Sequence, residues 1–331
     1  MPHWLDSQAE GRLTLVNPRS SRIASIYCPM PESPPTSPPR PDGHAVAAAL
    51  RRLSRAEQPP WLHAEVARRM GERLELIRLR PAVLLDWWGW SGASAELLAR
   101  ARPEARRVAV EPTPAMLQRS LQLARPPWWT ARRWSGAGPA AQLQDQALPA
   151  GVQMVWANMM LHAEPDPPSL FARWHQALEV DGFVMFSCPG PGTLRELRAL
   201  YRRLGWPTPT PDFVDMHDLG DMLVHAGFGD PVMDQETLTL RWDGPQALLG
   251  ELASLGGNIA AGRFAGLRTP RWRARLLDEL AALAGEDGRI GLSFEIAYGH
   301  AFKVALRAPP GAPTAVSLET MRSLLRSART P

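Results

Sequence analysis

The chain has 331 residues, of which 45% are hydrophobic, and a formal net charge of +4. This apolar fraction supports a buried core and excludes a protein that is disordered throughout. No apolar stretch reaches the ~18 residues of a membrane-spanning helix, and the start of the chain lacks a signal-peptide pattern. Cys28 and Cys188 are the only cysteines, which excludes a disulfide framework and a cysteine metal cluster. We therefore expect a cytoplasmic protein without a membrane partner or a metal.

The basic residues are almost all arginine, since Lys303 is the only lysine. They are dispersed along the chain and form no run of four or more, so the charge does not indicate nucleic-acid binding. A moderately basic surface favours an acidic partner, through faster encounter rather than through higher affinity.

The two ends of the chain are predicted to lie outside the ordered domain. Seven prolines fall between positions 29 and 41, a density that excludes helix and sheet and favours an extended or disordered segment over residues 1–43. We place the domain at residues 44–308. A tail over residues 309–331 carries one short amphipathic helix at 318–325.

Strands alternate with helices across this domain. Residues 44–80 are predicted to be helical, with a break at Pro59 and Pro60. Strands are predicted at 82–85, 107–110, within 126–151, and at 154–158, 182–188, 231–241 and 292–306. Helices are predicted at 95–101, from 114 onward, and at 168–178, 193–204, 215–225 and 244–286. The pattern predicts an α/β, Rossmann-like, seven-stranded and mostly parallel sheet with helices on both faces. We expect one of the last two strands to run antiparallel, with a helical insertion at 244–286 between them.

The turn after the first predicted strand reads Asp-Trp-Trp-Gly-Trp-Ser-Gly over residues 86–92. In a cofactor-binding turn, glycine supplies unusual backbone angles and lets the backbone approach a ligand closely. Trp88 and Trp90 stand at two positions where such a turn has glycine. If the backbone keeps a positive φ there, each indole is strained by about 1–3 kcal/mol. The position of the turn therefore indicates an α/β fold, whereas its two tryptophans depart from the glycines that such a turn uses to bind a cofactor.

Six segments of the chain carry a resemblance to a known family. In order and spacing they resemble class I S-adenosylmethionine-dependent methyltransferases, in particular the malonyl-acyl-carrier-protein O-methyltransferase branch of biotin synthesis. The resemblance implies an enzyme that methylates a carboxylate of a small-molecule or acyl-carrier-linked, malonyl-type substrate with S-adenosyl-L-methionine as cofactor. The segments are residues 72–81, 110–117, 155–162, 190–197, 213–221 and 298–303.

The resemblance also implies a cofactor site at the carboxyl ends of the strands. Glu111 follows Gly92 by nineteen residues and is expected to hold the ribose hydroxyls; the alternative is a solvated acid at a strand end. On the adenine side, Gln144 and Gln146 replace acids that are usual in the family, so Asp145 is the candidate there. The expected cofactor-binding residues are Asp86, Trp88, Gly89, Trp90, Gly92, Glu111, Asp145 and Asn158.

The candidate catalytic residues follow from the chemistry of a carboxylate acceptor. A carboxylate is already ionised and nucleophilic at neutral pH, so the enzyme must align and desolvate it. His162 is a candidate to orient a carboxyl or carbonyl oxygen. Arg195 and Arg198 are candidates to clamp the carboxylate bidentately. The structural alternatives are a capping or half-buried histidine and two surface arginines on an exposed helix face.

Two main functions stay open at this point, beside a third that keeps the Rossmann-like fold with a different nucleotide, against which the lack of any other intact glycine fingerprint counts. The first is methyl transfer to the carboxylate of a thioester-linked substrate, with the helical insertion covering the substrate or binding an acidic carrier protein. The second is a catalytically inactive relative that acts as a binding or regulatory module. In that relative, Trp88 and Trp90 fill the cofactor pocket. The sequence does not indicate the oligomeric state.

Overall fold

A computed structural model describes residues 40–123 and 141–305. The predicted N-terminal segment up to residue 39 lies outside these residues, as does the predicted tail with its helix at 318–325. Within the described ranges, no helix is long and apolar enough to cross a membrane. The same ranges contain no group of three or more His, Cys, Asp or Glu side chains that could hold a metal ion.

Most helices begin and end within a few residues of the predicted positions. The exceptions are α2, which ends at Leu74 and not near residue 80, and the predicted helical stretch 244–286, whose residues 255–269 are not helical. The predicted break between the first two is confirmed, because α1 ends at Arg55 and α2 begins directly after Pro60. The Asp42 carboxylate caps α1 by accepting a hydrogen bond from the Ala45 amide at 2.9 Å. The helices are α1 (Gly43–Arg55), α2 (Trp61–Leu74), α3 (Gly89–Gly92), α4 (Ala95–Ala101), α5 (Pro114–Leu123), α6 (Pro167–Ala177), α7 (Arg195–Arg203), α8 (Met216–His225), α9 (Pro245–Ser254) and α10 (Pro270–Ala281).

The described strands form one seven-stranded sheet in the order β3-β2-β1-β4-β5-β7-β6. The neighbours from β3 to β5 pair in parallel, whereas β7 runs antiparallel to both β5 and β6. The predicted mostly parallel sheet with one antiparallel late strand is therefore confirmed. The strands are β1 (Val83–Trp87), β2 (Arg106–Glu111), β3 (Ala141–Leu143), β4 (Val152–Asn158), β5 (Leu178–Pro189), β6 (Gly229–Trp242) and β7 (Ile290–Phe302).

The sheet separates two apolar layers, as expected when helices cover both faces. Successive side chains of β1 point to opposite faces, so Leu84 joins one buried cluster and Leu85 the other. The Leu85 cluster includes residues of α1, α5, α6 and α8. The Leu84 cluster includes residues of α2, α4, α7, α9 and α10. Because the central strands are buried on both faces, their sequences read as continuous apolar runs.

The predicted helical insertion is present between β6 and β7. It consists of α9, a nonhelical connection over residues 255–269, and α10. The connection lies near the edge of the sheet where β1, β4 and β5 end, because Ile259 packs in the same cluster as residues of α1 and the turn after β1. This edge is where the candidate site residues meet.

Candidate active site

The turn after β1 keeps the backbone of a glycine at one of the two substituted positions. Trp88 adopts a left-handed conformation, with φ 55° and ψ 44°, so the expected strain of about 1–3 kcal/mol applies there. Trp90 lies within α3 and has no positive φ. Gly89 packs against an ion pair, because a Cβ there would lie 2.7 Å from Asp86 Oδ2. The Asp86–Arg107 ion pair therefore leaves no room for a side chain at position 89.

Both indoles of the turn are buried and hydrogen-bonded. Trp88 Nε1 donates to Gln144 Oε1 at 3.0 Å, and Trp90 Nε1 donates to the Leu53 carbonyl of α1 at 3.3 Å. The guanidinium of Arg119 lies over the Trp90 ring, 5.1 Å from its centroid. The turn is therefore joined on one side to the loop after β3 and on the other to α1.

The bond between Trp88 and Gln144 links two departures from the pattern that the sequence resemblance implies. The sequence shows a tryptophan in place of a glycine and, 56 positions later, a glutamine where an acid is usual. In the structure the indole donor meets the amide acceptor, so each substitution satisfies the hydrogen-bonding group of the other. Asp145, the candidate beside Gln144, is exposed.

Asp86 forms a buried ion pair behind the turn. It is fully buried at the end of β1, and its Oδ2 lies 2.6 Å from Arg107 Nη2 and 2.7 Å from Arg107 Nε. Its Oδ1 has no hydrogen-bond partner among the described residues. Burial raises the pKa of Asp86, and the Arg107 guanidinium opposes that shift.

Glu111 is also fully buried, so the alternative of a solvated acid is wrong. Its Oε1 accepts hydrogen bonds from the Trp90 amide at 2.8 Å and from Ser120 Oγ. Its Oε2 has no partner in the described part of the chain. Burial raises the pKa of Glu111 to about 7, and the nearby Asp86 adds to the shift. In this arrangement Glu111 binds the turn itself, and its expected ribose contact stays a prediction.

Asn158, at the end of β4, ties three elements together. Its Nδ2 donates to the carbonyl of His63 at 2.8 Å and to that of Gly92 at 2.7 Å. Its Oδ1 accepts from Ser187 Oγ on β5 at 2.6 Å. Since these bonds use the side chain's donors and one acceptor, Asn158 fixes the position of the turn relative to α2 and β5.

Two neutral histidines lie at this edge of the sheet. His162 follows β4 in a short 3₁₀ turn, and its buried Nδ1 has no partner among the described residues. Burial lowers the pKa of His162 to about 3, with a smaller contribution from His63. The imidazole of His63 contacts the Ser91 carbonyl through Nδ1 at 2.7 Å, and burial lowers its pKa to about 4. Both rings are therefore uncharged near neutral pH.

A small cavity, which we call the inner cavity, joins these histidines. It has a volume of about 130 Å³ and is lined mainly by apolar side chains. Its polar lining includes His63, His162 and Thr210, and the buried Thr210 Oγ1 has no partner in the described ranges. The sequence interpretation missed His63 and Thr210. The signal for His63 was its place on the apolar face of α2, beside Leu62 and Val66.

The two candidate arginines lie away from the inner cavity. Arg195 pairs with its neighbour Glu196 at 3.1 Å and has 67% of its side chain exposed. Arg198 donates to the Pro191 carbonyl. Neither lines the inner cavity, because α7 packs inward through Leu197 and Leu200 and directs Arg195 toward solvent.

The fold and this edge of the sheet define the class of protein. The strand order 3-2-1-4-5-7-6 with β7 antiparallel, a turn after β1 and an acid at the end of β2 are the architecture of class I S-adenosyl-L-methionine-dependent methyltransferases.

Curated relatives then identify the family. The chain is 39% identical to the malonyl-[acyl-carrier protein] O-methyltransferase of Gallionella capsiferriformans, over 74% of this chain and 85% of the relative. It is 38% identical to the protein of that name from Laribacter hongkongensis, over 74% and 84%. The chain belongs to the malonyl-[acyl-carrier protein] O-methyltransferase family.

No family model matches the sequence. Among solved structures, the YcgJ protein of Bacillus subtilis aligns at 12% identity and a TM-score of 0.49, covering 72% of this chain and 98% of that one.

In the described conformation, little space remains beside Trp88 and Ser91 of the turn. The cavity that contacts Trp88 and Ser91 measures about 30 Å³, whereas sites for ligands of drug-like size measure ~300 Å³ or more. The indoles of Trp88 and Trp90 fill the turn, and the Glu111 carboxylate faces the turn's backbone. The arrangement is a closed one, and the cofactor roles assigned from the sequence stay predictions.

Proposed function

We propose that this protein methylates the free carboxylate of a malonyl group carried on an acyl-carrier protein, in the cytoplasm and as a step of biotin synthesis. Its support is family membership, with 39% identity over 85% of a malonyl-[acyl-carrier protein] O-methyltransferase. S-adenosyl-L-methionine is the methyl donor of this class.

The inner cavity is the acceptor site in this proposal. At ~30 Å³ per liquid water molecule, its volume of about 130 Å³ equals that of roughly four waters, which suits a short acyl group. A carboxylate loses stabilisation when it leaves water unless polar groups replace its solvent. His162 and Thr210 line the cavity, and in this proposal their unpartnered Nδ1 and Oγ1 atoms bind the carboxylate oxygens.

The remaining site residues hold the turn and the cavity wall in place. Asn158 holds the turn against β5 through Ser187. His63 keeps its ring orientation through Ser91. The apolar wall of the inner cavity excludes water from the acceptor, which strengthens the polar contacts that remain. Arg195 and Arg198 take no part in this arrangement.

The direct test is methyl transfer with the purified full-length chain. Malonyl-acyl-carrier protein and labelled S-adenosyl-L-methionine should yield a base-labile methyl ester on the carrier. Acetyl-acyl-carrier protein is the matched control, because it has the same thioester and lacks the carboxylate. Thr210→Val should raise KM for the malonyl substrate, and Thr210→Ser should restore it. Unmodified malonyl carrier after prolonged incubation would contradict the proposal.

A second candidate is the closed module without catalysis, which would follow if the small space beside Trp88 persists in solution. The cavity beside Trp88 is only about 30 Å³. Titration with S-adenosylhomocysteine, followed by tryptophan fluorescence, separates the two functions because both indoles lie at the turn. Saturable quenching at micromolar ligand supports the methyltransferase. A flat titration, with binding gained in the Trp88→Gly, Trp90→Gly double variant, supports the closed module.

A further inference from the structure

A second cavity opens beside the inner cavity, and we call it the outer pocket. Its volume is about 350 Å³. Its walls come from α1, the segment after α7, the connection at 255–269 and α10. It shares Pro209 and Asn258 with the inner cavity, so the two lie next to each other. A ligand that enters the inner cavity from this side passes the outer pocket.

Three arginines line the outer pocket with an excess of positive charge. Arg263 is neutralised by Asp42, with Nη1 and Oδ2 2.5 Å apart. Arg52 donates through Nε to the Gly256 carbonyl at 3.1 Å. Arg268 stacks on aromatic rings. Neither Arg52 nor Arg268 forms an ion pair with a described carboxylate, so two positive charges remain uncompensated among these residues.

Aromatic side chains hold Arg268 in place. Its guanidinium carbon lies 3.8 Å from the centroid of the Phe264 ring and 4.4 Å from that of Trp272. Stacking of this kind leaves the edge of the planar guanidinium free to donate hydrogen bonds. The structure thus positions the charge of Arg268 by contacts that do not neutralise it.

Two side chains that carry neutral donors also line the outer pocket. Trp272 Nε1 is buried and has no acceptor among the described residues. Burial raises the pKa of Tyr201, which therefore keeps its hydroxyl proton, while the charge of Arg268 opposes that shift. Both residues line the outer pocket. Because buried donors in native proteins are normally paired, the lining fits an anion with several acceptor oxygens.

We propose that the outer pocket binds the phosphodiester of the phosphopantetheine arm on which the carrier protein presents its acyl group. The inference rests on the proposed function, since that function supplies the arm. The phosphodiester lies at the carrier end of the arm and the acyl thioester at its tip, which matches an outer basic pocket followed by an inner apolar cavity. Guanidinium forks suit phosphate oxygens, which accept bidentate hydrogen bonds.

The test compares malonyl-pantetheine, which lacks the phosphate, with malonyl-phosphopantetheine and malonyl-acyl-carrier protein. Arg268→Gln and Arg52→Gln should each raise KM for the two phosphate-bearing substrates by about 10-fold, because each removes a charge-assisted hydrogen bond. Both variants should leave kcat, and the KM for malonyl-pantetheine, unchanged. Arg271→Gln is the matched control, because this exposed arginine of α10 does not line the outer pocket.

Two results would overturn the inference. An equal rise in KM for malonyl-pantetheine would show that the arginines act on folding or on the acyl end. A rise confined to malonyl-acyl-carrier protein would assign them to acidic side chains of the carrier. If the unaltered protein methylates none of the substrates, the proposed function fails, and calorimetry with phosphopantetheine alone still tests the pocket. Binding that Arg268→Gln abolishes supports it, and no binding to the unaltered protein refutes it.

Discussion

Glu111 offers the sharpest test of the closed turn. Its carboxylate is fully buried against the Trp90 amide, and its pKa rises from an ordinary 4.5 to about 7. One pKa unit corresponds to ~1.4 kcal/mol, so the ionised carboxylate should destabilise the fold by about 3 kcal/mol. The Glu111→Gln substitution keeps an acceptor oxygen for the amide of Trp90 and for Ser120, and it removes the charge.

The sign of the pH effect follows from proton binding. Below about pH 4.5 the acid is protonated in both the folded and unfolded chain, so Glu111 adds no penalty. Between about pH 4.5 and 7 the folded chain keeps a proton that the unfolded chain releases, so stability falls as pH rises. Above about pH 7 the penalty is complete. We therefore expect Glu111→Gln to stabilise the protein by about 3 kcal/mol near pH 8 and by little near pH 4.5.

The measurement is urea unfolding of both proteins, followed by circular dichroism, at about pH 5 and about pH 8. Glu96→Gln is the control, because the Glu96 side chain is 92% exposed, and it should change stability little at either pH. An equal difference between Glu111→Gln and the unaltered protein at both pH values would refute the reasoning. It would mean that the carboxylate faces water and that the turn is open in solution.

Three other substitutions or reactions test parts of the same edge. Arg107→Gln leaves Asp86 buried without its ion-pair partner and should lower the free energy of unfolding by about 3–5 kcal/mol in urea; a loss below about 1 kcal/mol would mean the pair is hydrated. Gly299→Ala places a Cβ in steric overlap with Phe186 Cζ and should cost about 1–3 kcal/mol, seen as a lower Tm. Burial raises the pKa of Cys188 to about 12, so peptide mapping should show alkylation of this thiol only after denaturation.

The sheet could be predicted from the sequence because its central strands are buried on both faces. The run at 183–186 is apolar throughout, and it lies within β5, where Phe183, Val184 and Phe186 are fully buried. An apolar run of this kind predicts a buried strand from the local sequence alone, without knowledge of its contacts with distant residues. The ends were less well defined, since β5 extends to Leu178 and Pro189.

The directions of the site side chains could not be predicted, because they depend on contacts between distant segments. Trp88 meets Gln144 across 56 positions, and nothing local to either residue indicates the pair. The Glu111 carboxylate points inward and accepts a hydrogen bond from the Trp90 amide at 2.8 Å. That amide belongs to the short helix α3, which the sequence did not predict. Thr210 lies in an irregular segment with no periodic pattern, so its place in the inner cavity had no signal in the sequence.

The energy that holds α1 over the turn limits how the cofactor can enter. Polar contacts such as Arg119 with the Ser54 carbonyl, at 3.1 Å, contribute about 1 kcal/mol each. Leu50 and Leu53 lie on the buried face of α1, and exposing each would cost about 1.5–3 kcal/mol. A ligand of micromolar affinity releases ~8 kcal/mol, so complete release of α1 would consume most of its binding energy. Entry by a shift of Trp90 and its turn, with the apolar contacts of α1 retained, leaves enough energy for binding and agrees with membership in a methyltransferase family.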